Sequence, residues 1–139
     1  MQPKLERLIK RGENSPFYQL LGLKIEEIRD NYARLSIEIE PKHTQFLKKV
    51  HGGVIASLAD SAAAWAIYGS NHLEATPVTV EMKINFLKPV ESGKLLAEAR
   101  NVHCGSRICV ADVEIKDNEN SLVAKSLVTY YILHDKQGQ

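Results

Sequence analysis

His51-Gly52-Gly53-Val54-Ile55-Ala56-Ser57-Leu58-Ala59-Asp60-Ser61-Ala62-Ala63-Ala64-Trp65-Ala66-Ile67-Tyr68 carries the only long helical pattern in the chain, and Gly69-Ser70-Asn71 behind it is a stop signal. The helix, Gly52 to Tyr68, has the composition of an interior element with one exception, Asp60. At about 100° per residue from Asp60, the residues Val54, Ile55, Leu58, Ala62 and Trp65 fall at roughly 120–220° and form a bulky face suited to a sheet. Gly53, Ala56, Ser57, Ala63, Ala64 and Ile67 lie within about 60° of Asp60, so the carboxylate shares its face with mostly small residues.

Outward from this helix the hydrophobic period changes to two. Upstream, Ala33, Leu35, Ile37 and Ile39 alternate with Arg34, Ser36, Glu38 and Glu40, an antiparallel strand with one wet face. Asp30-Asn31 is the turn before it, and Leu23, Ile25 and Ile28 read as a first strand with a slip in register. Downstream, Val78, Val80, Met82, Ile84 and Phe86 alternate with Thr79, Glu81, Lys83 and Asn85, and Pro89 to Gly93 form a turn. Three further strands follow over 95–102, 108–115 and 122–133, separated by Gly105-Ser106 and Asp117-Asn118-Glu119-Asn120. Pro41 to His51 has no periodicity and reads as a loop. Leu5, Leu8 and Ile9 mark a short amphipathic helix that Asn14-Ser15-Pro16 ends. The order is helix, two strands, long helix, four strands. That is an α+β domain whose helix lies on an antiparallel sheet, with a flap helix over residues 1–16 and one domain over 17–139.

A length of 139 residues fits one domain with its own core. The 44% apolar content argues against disorder. Lys+Arg 18 against Asp+Glu 17 excludes nucleic-acid binding through bulk charge. No apolar run nears the roughly 20 residues of a membrane span, and Met1-Gln2-Pro3-Lys4-Leu5-Glu6-Arg7 lacks a signal peptide's apolar core. A soluble cytoplasmic protein is expected. Cys104 and Cys109 match neither a Cys-x-x-Cys motif nor a zinc-ligand spacing, and are expected as two buried thiols rather than a disulfide or metal site.

The helix entry is where chemistry enters. At His51-Gly52-Gly53 the first free backbone N–H groups belong to residues with no side chain in the way, which suits an anion or a developing oxyanion. A plain turn is the alternative reading of Gly-Gly, as an ordinary surface acid is of Asp60. Taken together, an oxyanion donor at Gly52 and a carboxylate at Asp60 suggest acyl transfer. Eight residues of helix separate them, about 12 Å at 1.5 Å per residue, too far for both to act on one carbonyl. They can meet only if two chains pack their helices antiparallel about a two-fold axis. His51 is read as fixing the loop at the helix start, and His43, His72, His103 and His134 as loop or surface residues. Ser57 and Ser61 lack a nucleophile-elbow context.

The run His51 to Asp60 closely resembles the HGG-x-x-x-x-L-x-D signature of the PaaI-like hot-dog acyl-CoA thioesterases, the family of the phenylacetate-pathway and Arthrobacter-type 4-hydroxybenzoyl-CoA enzymes. The likeness runs from Phe17 to Leu133 and includes Leu21-Gly22, Thr79-Val80-Glu81-Met82, Phe86-Leu87-Lys88-Pro89 and Ala124-Lys125. It implies a long helix wrapped by a curved antiparallel sheet, in dimers that pair into tetramers, and an acyl-CoA thioester as substrate. It assigns the carbonyl-polarising N–H to Gly52, the partner chain's nucleophile or base to Asp60, and the residue near the thioester or water to Gln45. Thr79 matches a residue that orients water, while Ala64 departs from the Thr of the Arthrobacter type. His51 and Gly53 shape the substrate site. The strand ends at Lys88-Pro89-Val90 and the turn Gly105-Ser106-Arg107 are the expected phosphate contacts of CoA, Arg107 first. No metal or organic cofactor is expected. A non-catalytic acyl-CoA-binding module is the competing reading.

Overall fold

A computed structural model describes residues 2–134; the outer limits of the expected flap helix and domain, residues 1 and 139, lie outside them. The elements are α1 (Pro3–Glu13), α2 (Pro16–Leu21), β1 (Lys24–Arg29), β2 (Tyr32–Glu38), α3 (Gly52–Tyr68), β3 (Thr76–Phe86), β4 (Lys94–Cys104), β5 (Ile108–Lys116) and β6 (Leu122–Leu133). Six strands form one sheet in the order β1-β2-β4-β5-β6-β3, with every neighbour antiparallel. The expected α+β architecture is present: α3 lies on one face, chiefly across β2, β4 and β5.

Alanines set how close helix and sheet come. Ala59, Ala62, Ala63 and Ala66 of α3, and Ala97, Ala99 and Ala111 of β4 and β5, are fully buried. Leu58 and Ile67 fill the gaps between them at 0% exposure. Such a joint leaves little room for added volume, since interiors pack at crystal-like density. Ala63 and Ile67, expected beside Asp60 on an open small-residue face, are therefore core residues; the face left partly open is Ala56, Ser57, Asp60 and Ala64, with Gly53 exposed. Against the helix's other side, α1 crosses Trp65. Gly12 is needed there, because a Cβ would stand 2.4 Å from the indole Cζ2. Trp65 Nε1 donates to Tyr18 Oη at 2.9 Å, tying α2 to the same spot.

Two bulges decide which side chains face the helix. In β6 the even-numbered residues Ala124, Ser126, Val128, Tyr130 and Ile132 point inward, and cross-strand partners share a face. Met82, Ile84 and Phe86 pair with Val128, Ser126 and Ala124, but Thr79 pairs with Tyr130 across a register shift between Thr79 and Glu81. An extra residue, Val80, thus reverses the parity of β3 and turns Thr79 inward. The plain alternation expected from Val78 to Phe86 placed Thr79 on the wet face and is corrected. In β4 a shift between Asn101 and His103 does the same, bringing Cys104 opposite the buried Cys109.

Three other expectations change. Pro16–Leu21 is a helix closed by Gly22 in the left-handed region (φ 77°), a conformation glycine adopts freely. The loop before α3 contains a short 3₁₀ turn, Pro41–His43, and His43 is buried rather than a surface residue. Cys104 and Cys109 are joined in a disulfide, not two thiols. Directly opposed strand positions put their side chains within bonding reach, a juxtaposition that an uninterrupted alternation of β4 conceals.

Candidate active site along helix α3

Buried His43 builds the entry to α3. Its Nδ1 accepts from Glu40 N–H at 2.8 Å, its Nε2 lies 2.8 Å from Leu21 O, and its carbonyl accepts His51 N–H at 2.9 Å. His51 is the N-cap, with Nδ1 accepting from Gly53 N–H at 2.7 Å. Its carbonyl accepts from Val54 and Ile55 N–H. Of the first-turn donors, only Gly52 N–H has no acceptor among the described residues. Capping normally satisfies these groups; here it stops one short, at the residue expected to hold an oxyanion. The Phe86 ring edges the same spot, 3.3 Å from where a Gly52 Cβ would be.

Asp60 lies two turns along, half-buried, with its carboxylate held on one side only. Thr79 Oγ1 donates to Oδ1 at 2.8 Å, and Tyr130 Oη lies 2.6 Å from the same oxygen and 2.7 Å from the Asp60 carbonyl. No hydrogen bond among the described residues engages Oδ2. Burial first, then the neighbouring Asp60 charge and the hydrogen bond to it, push the Tyr130 hydroxyl far above its ordinary range. It therefore stays protonated and a donor at any working pH. Tyr130 was not singled out from sequence. Its only signal is its place in an alternating strand, and the β3–β6 pairing that brings it to Asp60 joins strands distant in the chain.

The remaining expected residues separate into groups. Gln45 sits in a tight loop where its side-chain oxygen accepts Leu47 N–H and its backbone pairs with Lys48 and Lys49; no hydrogen bond joins it to Asp60 of its own chain. Lys88 is committed to Asp117 at 2.6 Å, and buried Val90 gives its carbonyl to Val50 N–H. Glu91, Asp117 and Glu119 line the cleft of about 370 Å3 beside Pro89 and Val90, a poor setting for phosphate. At the other end of α3, Gly105 N–H closes the β4–β5 turn on Ile108 O. Ser106 and Arg107 are exposed there, the Arg107 guanidinium making one hydrogen bond among the described residues, Nη1 to Tyr131 Oη at 3.1 Å. The two expected phosphate sites thus lie at opposite ends of a helix of about 25 Å. Among the described residues, the Lys88 charge is paired with a carboxylate and the Arg107 charge is not.

A helix wrapped by such a sheet, with a bare N–H at its start and a held carboxylate in its middle, defines a class. Residues 47–124 match the thioesterase superfamily, and the chain belongs to it. It is a thioester hydrolase of the hot-dog fold. Thioesterase HI1161 of Haemophilus influenzae superposes with a TM-score of 0.87 at 26% identity, over 100% of this chain and 97% of that one. The medium/long-chain acyl-CoA thioesterase YigI of Escherichia coli is 25% identical over 132 residues, 84% of this chain and 85% of its own. A hypothetical thioesterase protein of Streptococcus pneumoniae, solved with coenzyme A, has a TM-score of 0.75 at 25% identity, over 83% and 88% of the two chains.

Proposed function

We propose that the chain hydrolyses acyl-CoA thioesters at sites shared between two copies of itself. The observation carrying this reading is that Gly52 N–H and Asp60 Oδ2, neither hydrogen-bonded among the described residues, lie about 12 Å apart on one rigid helix. Neither completes a site alone. Two helices packed antiparallel on the Gly53, Ala56, Ser57, Asp60 and Ala64 face bring Gly52 of one chain beside Asp60 of the partner subunit, twice. Edge strand β3 supports such a pairing: Val78, Val80 and Phe86 are exposed on it at 39%, 61% and 52%, and an unpaired apolar edge is a template for a second chain. Pairs of dimers then form the tetramer.

In this reading Gly52 N–H polarises the thioester carbonyl and takes the developing negative charge. Asp60 of the partner subunit attacks the carbonyl carbon or takes a proton from the water that does. The C–S bond breaks, CoA leaves as thiolate, and the acid is released. Gln45 orients the thioester or the water, and Thr79 and Tyr130 hold Asp60 with Oδ2 free. His51 and Gly53 shape the approach to Gly52. The Gly105-Ser106-Arg107 turn contacts CoA phosphate, Arg107 supplying the charge; Lys88 and Val90 flank the other end. The YigI likeness and the CoA-bound Streptococcus pneumoniae relative favour CoA as the carrier.

Thiol release from aryl-, short-, medium- and long-chain acyl-CoAs tests this. Wild type is expected to turn over at least one class, and Asp60→Asn none. No turnover of any thioester, or unchanged turnover in Asp60→Asn, overturns the reading; binding without turnover leaves a non-catalytic acyl-CoA module in its place.

A further inference from the structure

The end of the sheet away from the α3 entry gathers groups that thioester hydrolysis does not use. Cys104 closes β4, Cys109 lies near the start of β5, and His72 comes from the connection between α3 and β3. A ring nitrogen of His72 and the two sulfurs all lie within 4.8 Å of one another. His72 Nε2 is 3.1 Å from Gly105 O, the same carbonyl that Cys109 Sγ approaches at 3.8 Å. Ser70 Oγ stands 3.3 Å from Cys104 Sγ. A disulfide that only staples a hairpin has no need of an imidazole brought in from a third segment.

We propose that, with the disulfide opened, Cys104, Cys109 and His72 bind one thiophilic divalent cation of the zinc class. A dithiol reductant opens the bond, its two thiols becoming a disulfide while the cysteines become two thiols. The cation then displaces both thiol protons, and two thiolates and one neutral imidazole hold it. Tetrahedral zinc with bonds of about 2.0–2.3 Å spaces its donors roughly 3.5–4 Å apart, so rotation of side chains already clustered reaches that geometry. The donor set contains no carboxylate, which favours a soft or borderline cation over calcium or magnesium. The spacing of the two cysteines carries no zinc signature by itself; it is the fold, bringing His72 in from a third segment, that assembles the donor set. Cys109 is fully buried and Cys104 half-buried, so the site is sheltered on one side and open on the other. Ser70 Oγ donates its proton to Ile67 O at 2.9 Å in the disulfide form and, 3.3 Å from Cys104 Sγ, turns it to the thiolate once the bond is open, as outer-shell support for the ligand. Solvent fills the fourth corner; His134 is nearby, but its Nε2 is taken by Ser106 O at 2.6 Å. The disulfide joins only β4 to β5; the metal, through His72, would also tie the Gly105-Ser106-Arg107 turn to the exit of α3, where the structure has the His72 to Gly105 O contact.

The proposal is independent of acyl-CoA chemistry, and its test reads metal rather than turnover. The full chain is reduced with a dithiol, freed of it under nitrogen, and titrated with cobalt and then zinc. Reduced wild type is expected to take one cobalt per chain with a sulfur-to-cobalt charge-transfer band that zinc abolishes, and the untreated disulfide form to show no band. Cys104→Ser and Cys109→Ser should each weaken or remove the band, and His72→Ala should keep thiolate ligation while losing at least about tenfold in affinity. Absence of the band in reduced wild type at one equivalent overturns the proposal. So does His72→Ala binding as tightly as wild type, since the imidazole is then no ligand.

Discussion

Asp60 is held through one oxygen, and the residues that hold it are separable experimentally. A hydrogen bond to a charged group is worth about 1.5–3 kcal/mol, or roughly 10–100-fold in rate if it is needed in the transition state. Tyr130→Phe is therefore expected to lower kcat by about that factor with the fold intact by circular dichroism; unchanged kcat removes Tyr130 from the site. A single turnover in heavy-oxygen water separates the two routes open to Asp60. Label in the Asp60 peptide marks the carboxylate as nucleophile, and label only in the product acid, with no acyl-Asp60 species trapped by hydroxylamine, marks it as base. Asp60 and Gly52 were legible in sequence because each breaks its local pattern, a charge in an apolar helix and a glycine pair at a helix start. Tyr130 breaks none, since a tyrosine in a strand is ordinary until its partner is known.

At the scale of elements, the proposed function has the start of α3 work through its backbone, so proline and alanine at Gly52 should behave oppositely. Proline is tolerated at the first helical position but has no N–H. Gly52→Pro should keep the helix and lose turnover. Gly52→Ala keeps the N–H, needs only the half-exposed Phe86 ring to give slightly, and should retain most activity. Equal loss in both variants would make crowding, not the missing donor, the cause. The β3 side of the sheet has its own pH signature. The Lys88 ammonium at 2.6 Å, then the Ser121 and Glu119 N–H groups, holds the Asp117 carboxyl below the usual range, and Asp117 in turn raises Lys88. A depressed carboxyl stabilises the fold above its unfolded value of about 4, and that contribution drains as pH falls through the folded value. The gap in urea midpoint between wild type and Asp117→Asn should thus be widest near neutral pH and close in acid. A gap that persists in acid means that the pair's charge is not its source.

Taken whole, the molecule has an open apolar edge at β3 and two groups of α3 set about 12 Å apart, the two features on which the proposed pairing of copies rests. Val80→Lys puts a charge on that edge, a device that blocks strand pairing. It is expected to shift sedimentation to the monomer and abolish turnover together; an active monomer would disprove sites shared between chains. Mixing Asp60→Asn with Gly52→Pro after dissociation makes the converse test. Verified heterodimers should regain one working site of two, and no recovery counts against the shared site.

The long helix, the six strands and their order were legible in the sequence itself, because hydrophobic period and turn residues are local properties that pay no regard to distant partners; the short helix α2 and the 3₁₀ turn were not. The signature from His51 to Asp60 went further, and the rise of a helix placed Gly52 and Asp60 about 12 Å apart, the distance on which the proposal of a shared site rests. What only the tertiary structure decided is which side of a strand each residue faces once the pairing is known. The bulge at Val80 carries Thr79 to Asp60, the bulge after Asn101 carries Cys104 to Cys109, and the β3–β6 pairing brings in Tyr130. One inserted residue reverses a period of two, and where it is tolerated depends on the neighbouring strand rather than on the strand that bears it.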